Sequence, residues 1–169
     1  MSFSMYDLTV PVMLRNLGIL SEYMDKAAAY AVEKKIEPSV LINARLAPDM
    51  FPLAGQIQRF SDNCKGGVAK LADIPTPRFP DTEATFGELK ERLTKTANFL
   101  QDIKPELLNG DVNRLIEIKV HQETISLSAR TYLLSMVLPN IFFHLTTTHN
   151  ILRHCGMNVG KMDYLGYAN

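Results

Sequence analysis

Val10, Met13, Leu14, Leu17, Leu20, Met24, Ala27, Ala28 and Ala31 recur at steps of three and four, a stripe that an α-helix gathers onto one face. A helix of that length with one apolar face must pack against others to be stable in water. The stripe predicts a first helix over about residues 9–35, with Thr9 as its N-cap and Pro11 in the first turn, where a missing N–H costs little. Leu53, Ile57, Phe60, Cys64, Val68 and Leu71 repeat the spacing and predict a second helix over about residues 51–72. IPTPRFPDTE carries three prolines and reads as an extended surface connection. Thr85 and Glu88 then form a capping-box pattern that starts a third helix, whose buried stripe is Phe86, Leu89, Leu93, Ala97, Leu100 and Ile103. Ile116, Ile118 and Val120 alternate with polar residues, as do Ile125 and Leu127 beyond the turn at His121-Gln122-Glu123, which predicts a small β-hairpin. A last helix runs from about Ser128 to Cys155 and stops at Gly156, with a kink or a free acceptor expected where Pro139 cannot donate to Ser135. Four long helices and one hairpin make an all-α four-helix bundle, a single domain over residues 1–169.

The 169 residues are 46% apolar, enough for one substantial core. Eighteen basic residues balance eighteen acidic ones without a long basic run, which argues against nucleic acid as a partner. The N-terminal residues lack the basic and apolar segments of a secretory signal, so a cytoplasmic location is expected. The longest apolar run, Tyr132 to Leu145, is broken by Ser135, Pro139 and Asn140 and is too short to span a bilayer, so no membrane association is expected. Cys64 and Cys155 lack a Cys-x-x-Cys spacing and read as buried spectators. The glycine pair Gly66-Gly67 falls inside the second helix, outside the strand-turn-helix context of a phosphate loop.

NIFFHLTTTHNILRH, residues 140–154, holds three of the four histidines. His144, His149 and His154 are five apart, and each step of five rotates the side chain by about 140°, so one helix cannot turn all three to a single ion. Leu133, Val137, Ile141, Ile151 and Leu152 define the buried side, with His144 near its middle. Asn140 lies one turn earlier and Thr147 and Thr148 one turn later, which makes a polar strip on a core face. His149 and His154 are expected at the surface or the helix end. Two readings of His144 stay open: a core imidazole paired with a neighbour, or a metal ligand or general base.

MYDLTVPVMLRNL, LINARLAPDMFPLAGQIQ and LPNIFFHLTTTHNILRHCG with GKMDYLG resemble a bacterial domain-of-unknown-function family within the DinB/YfiT-like superfamily, over nearly the full length. The resemblance implies a DinB-like bundle, commonly a homodimer. Better-known relatives hold a divalent metal through one histidine on the second helix and an H-x-x-x-H pair on the last, and some are thiol-dependent transferases or isomerases. Aligning ILRHCG with the superfamily's leucine-arginine-glycine ending matches His144 to the second histidine of that pair. Asn140 then stands at the first position and Gln56 at the second-helix position. Amides bind transition metals far more weakly than imidazole, so the resemblance implies a degraded metal site with at most weak residual divalent metal.

What remains is an expected polar pocket of His144, Asn140, Gln56 and Thr147, with Asp49 and Arg45 arriving from the irregular segment before the second helix. Those last two also read as a structural ion pair or cap. The leading function is a dimeric DinB-like domain that binds a small molecule. The alternative is an enzyme, either a metal-dependent thiol transferase or a hydrolase using His144 as base.

Overall fold

The computed structural model describes residues 3–120 and 122–167. The chain forms α1 (Val10–Lys34), α2 (Pro38–Ile42), α3 (Leu53–Ala72), α4 (Phe86–Gln101), α5 (Pro105–Leu108), β1 (Leu115–Val120), β2 (Glu123–Ser128), α6 (Ala129–Tyr132), a π-helical turn (Leu133–Val137), α7 (Leu138–His154) and α8 (Lys161–Tyr164). The four long helices α1, α3, α4 and α7 make the expected bundle, with α4 packed on α1 and α3, and α7 packed on α3. No described helix is long and apolar enough to cross a membrane.

Each helix turns the stripe its spacing predicts toward the core, with Leu14, Ala28 and Ala97 only partly buried at its edge. Met13, Leu17, Leu20, Met24 and Ala27 of α1 meet Ile57, Phe60, Cys64 and Val68 of α3, Leu89 and Leu93 of α4, and Ile141 and Leu145 of α7 in one core. Thr85 caps α4 as its spacing with Glu88 predicts: its hydroxyl accepts from the Glu88 N–H, and the Glu88 carboxylate accepts from the Thr85 N–H. Thr9 stands at the N-cap position of α1 as expected, but its side chain makes no capping bond to the helix. Its hydroxyl donates backwards to the carbonyls of Met5 and Tyr6, at 2.7 and 3.2 Å, and so serves the turn that precedes the helix. Gly156 ends α7 for two reasons: its φ of +92° suits only glycine, and a Cβ there would lie 2.7 Å from the Tyr30 hydroxyl, which donates to the Cys155 carbonyl.

The hairpin pairs Ile116 with Leu127 and Ile118 with Ile125. Ile116 and Ile118 are buried between exposed neighbours, so one face lies on the bundle and stabilises a unit that would be marginal alone. Its expected turn includes His121, which lies outside the described residues. The Arg114 guanidinium donates to the Leu71 carbonyl and the Lys70 ammonium to the Glu117 carbonyl, which ties the hairpin to the end of α3.

Pro139 has the consequence expected of a missing donor, in a specific form. The helix widens into a π-turn over Leu133–Val137 and resumes at Leu138. At this level the π-turn lies tight against α3: a Cβ on Gly67 would sit 2.7 Å from Val137 Cγ1.

The proline-rich connection is held by charge. Arg92 is 2% exposed, and its guanidinium donates to Asp62, Glu83 and the Pro80 carbonyl at 2.8, 2.9 and 3.0 Å, with Asp81 also at 3.0 Å. Phe79 lies beneath both Arg92 and Lys65. Burial pushes the Glu83 carboxyl up, but hydrogen bonds from Arg92 and Gln58 outweigh it and hold the group below the usual range. That stabilisation is present above the ordinary glutamate range and is lost as pH falls through the depressed value.

Two outcomes are expected. Gly67→Ala forces Val137 to move and lowers stability in chemical denaturation by about 1–3 kcal/mol, while Gly66→Ala, which meets nothing nearer than 4.0 Å, does not. Arg92→Met releases residues 75–84, seen as faster amide exchange and proteolysis there, with the α1 and α3 core still protected.

Candidate functional site

The site is built from the first turns of α3 upward. Phe51 folds back over that helix because Gly55 leaves room: a Cβ at Gly55 would lie 3.0 Å from the Phe51 Cβ. The Gln56 Nε2 donates to the Phe51 carbonyl at 2.9 Å, and the Arg59 guanidinium stands 5.8 Å from the centre of the Phe51 ring. Gln56 is thereby clamped, with its Oε1 turned toward α7. There it meets His144 Nδ1 at 2.8 Å.

This geometry determines the tautomer of His144. An amide oxygen only accepts, so Nδ1 must carry the proton and Nε2 must present its lone pair. Exchanging the amide atoms of Gln56 would set its NH2 against His144 and its oxygen against the Phe51 carbonyl, two acceptors facing each other. His144 is 7% exposed, and Phe143 meets its ring edge-on with centroids 5.3 Å apart. Nε2 takes no hydrogen bond from a described residue and is not among the buried polar atoms left without a partner, which puts it at the small part of the ring that reaches the surface. Burial, with the Arg59 charge adding to it, pushes the imidazole down to about 4. His144 is therefore neutral at pH 7 and acts there as an acceptor.

The other expected pocket residues are placed differently. Asn140 is half-buried, and its Nδ2 donates to the Met136 carbonyl at 2.7 Å, in the stretch where Pro139 supplies no N–H. Its amide serves the helix and faces a cleft that His144 does not line. Thr147 is buried but makes no hydrogen bond to His144 among the described residues. Arg45 is exposed and donates to the carbonyls of Pro48 and Met50, which pins the irregular segment; Asp49 is exposed and forms no ion pair with Arg45. The structure thus joins Gln56 to His144 by a hydrogen bond, while Asn140 and Arg45 bond to backbone carbonyls elsewhere.

His149 is not the surface residue expected. It is half-buried, with Nδ1 2.6 Å from the Tyr23 hydroxyl and its ring edge-on to Tyr164. Burial, then the nearby Asp163 charge, pushes the Tyr23 phenol well up, so Tyr23 keeps its proton, and the direction of its bond with His149 Nδ1 follows the tautomer of the imidazole. The segment after α7 is held over this pair by Lys26–Asp163 and by the Arg15 guanidinium on the Leu165 carbonyl. Sequence reasoning also passed over Phe51, Arg59 and Phe143. The glycine one residue before Gln56 was the available signal for the first of these.

A metal fits this arrangement poorly. His144 offers one imidazole nitrogen, the Gln56 oxygen is occupied by His144 itself, and Asn140 faces elsewhere. Among the described residues no group of three or more His, Cys, Asp or Glu side chains could hold an ion.

A family model described as a domain of unknown function, DUF1993, matches residues 5–165. The chain is also similar to a solved DinB family member protein from Shewanella denitrificans, at 37% identity and a TM-score of 0.88 over 95% of this chain and 91% of that one. No curated protein matches. The chain belongs to the DUF1993 family, within the DinB-like superfamily.

Proposed function

We propose that this DinB-like domain acts without a metal, as a homodimer, and binds a small polar molecule at His144. The observation that carries the reading is the amide-locked imidazole: Gln56 holds Nδ1–H and leaves Nε2 as a fixed acceptor. The ligand that suits it donates an N–H or O–H group. Phe51 and Phe143, 55% and 54% exposed, offer apolar rings at the same end of the seam for the body of such a molecule. The Arg59 charge is already shared between Asp62 and Asp81, so an anionic ligand gains little there. The homodimer rests on the family resemblance.

The same lone pair suits a general base, which supports the second reading, a hydrolase. Its depressed basicity favours binding: an imidazole near 4 is a much weaker base at pH 7 than one poised near neutrality.

Elemental analysis of untagged protein tests the metal-free reading. Zinc, nickel and iron are expected far below one per chain; near-stoichiometric metal that disappears in His144→Ala would contradict it. Sedimentation velocity is expected to show twice the mass of one chain, and a monomer at all concentrations would remove the homodimer. For pH, the folded His144 value of about 4 lies below the ordinary 6.5 of the unfolded chain. The unfolded state binds more protons between these values, so the native advantage is full above about pH 6.5 and is lost as pH falls toward 4. His144→Gln should flatten the dependence of unfolding free energy on pH across that window, and an unchanged slope would contradict a buried neutral imidazole.

A further inference from the structure

A second polar recess, which neither His144 nor Gln56 lines, lies where the hairpin meets the α3–α7 seam. It has a volume of about 290 Å³, enough for a small organic molecule. Asn63 and Lys70 come from α3, Ile118 and Lys119 from β1, and Tyr132 and Asn140 from the helical stretch on either side of the π-turn.

The π-turn makes this wall. In an unbroken α-helix, side chains eight residues apart differ in direction by about 80°. One extra residue in a π-turn removes a step of about 100°, which leaves Tyr132 and Asn140 within roughly 20° of each other. Both therefore face the same recess.

Its chemistry is one-sided. Among the described residues no carboxylate lines it, while Lys70 and Lys119 bring two ammonium groups. Neither lysine is in a salt bridge among the described residues. Lys70 spends one N–H on the Glu117 carbonyl at 2.6 Å, which fixes its head and leaves two donors. Asn63 and Asn140 each spend one amide N–H on their own helix, at 2.7 Å to the carbonyls of Arg59 and Met136, and keep the second. Burial pushes the Tyr132 phenol up, so its hydroxyl stays a donor at neutral pH. Buried Ile118 and half-buried Met136 supply apolar surface among these donors.

We propose that this recess is a binding site for a small organic anion of the dicarboxylate class. The two ammonium groups neutralise its charge, Tyr132 and the two asparagines donate to its oxygens, and the apolar surface takes the carbon chain between its ends. A single inorganic anion leaves much of that volume and the apolar surface unused. The site shares no residue with the His144–Gln56 pair and does not rest on the function proposed for it.

The test is a titration followed by nitrogen-15 NMR of the folded chain at constant ionic strength, with succinate, its neutral diamide succinamide and inorganic phosphate as probes. Succinate should shift the side-chain amides of Asn63 and Asn140 saturably, with a Kd on the order of 1 mM, and Lys119→Gln should weaken it about tenfold. Lys70→Gln should also weaken it, but it removes the tie to Glu117, so Lys119→Gln is the decisive variant. Absence of a saturable shift, equal binding of succinamide, or unchanged affinity in Lys119→Gln would overturn the site. Phosphate binding as tightly as succinate would overturn the dicarboxylate class.

Discussion

The close approach of α3 and α7 is the constraint from which the two polar sites follow. Gly67 lies against Val137 with no room for another carbon, and this contact sets the height of one helix on the other. With that pair in place and the helices antiparallel, Gln56 arrives opposite His144 and Asn63 shares a recess with Asn140. A shift by one turn, about 5 Å, would break the first pairing and dismantle the second. Beside that contact, at the C-terminal end of α3, Lys70 and the Leu71 carbonyl hold the hairpin.

The polar groups along this seam are arranged to solve a backbone problem and a desolvation problem together. Pro139 removes a donor from the last helix, and the chain answers with a π-turn and with the Asn140 amide on the Met136 carbonyl. An imidazole largely buried in the seam would be costly if charged or unpaired, and Gln56 satisfies one nitrogen while burial keeps the ring neutral. Gln56, itself clamped on the Phe51 carbonyl, orients the ring and leaves Nε2 available.

Local signals carried most of the fold. The α1 stripe, the Thr85–Glu88 box and the alternation at Ile116 and Ile118 each depend on residues within one or two turns, and each appears where its spacing puts it. Thr9 takes the N-cap position its type predicts, but a hydroxyl can donate to the turn behind it as readily as it accepts from the helix ahead, and residue type does not distinguish these. Pro139 announced a disturbance but not its form. The π-turn changes the angular relation between residues on either side of it, so a helical-wheel reading of Tyr132 against Asn140 is off by about one residue. Gln56 and His144 were legible as a pair only through the family resemblance, being 88 residues apart. The partners of His149 were not legible at all, since Tyr23 is 126 residues away and nothing in either local pattern demands the other.

The chemistry of the His144–Gln56 pair turns on one proton. Long-range nitrogen-15 NMR of the His144 ring, followed as pH is lowered, reads both its position and its loss of neutrality. The hydrogen bond to a clamped Gln56 predicts the proton on Nδ1 and a neutral ring down to about pH 4. A proton on Nε2, or titration at the ordinary 6.5, would contradict it.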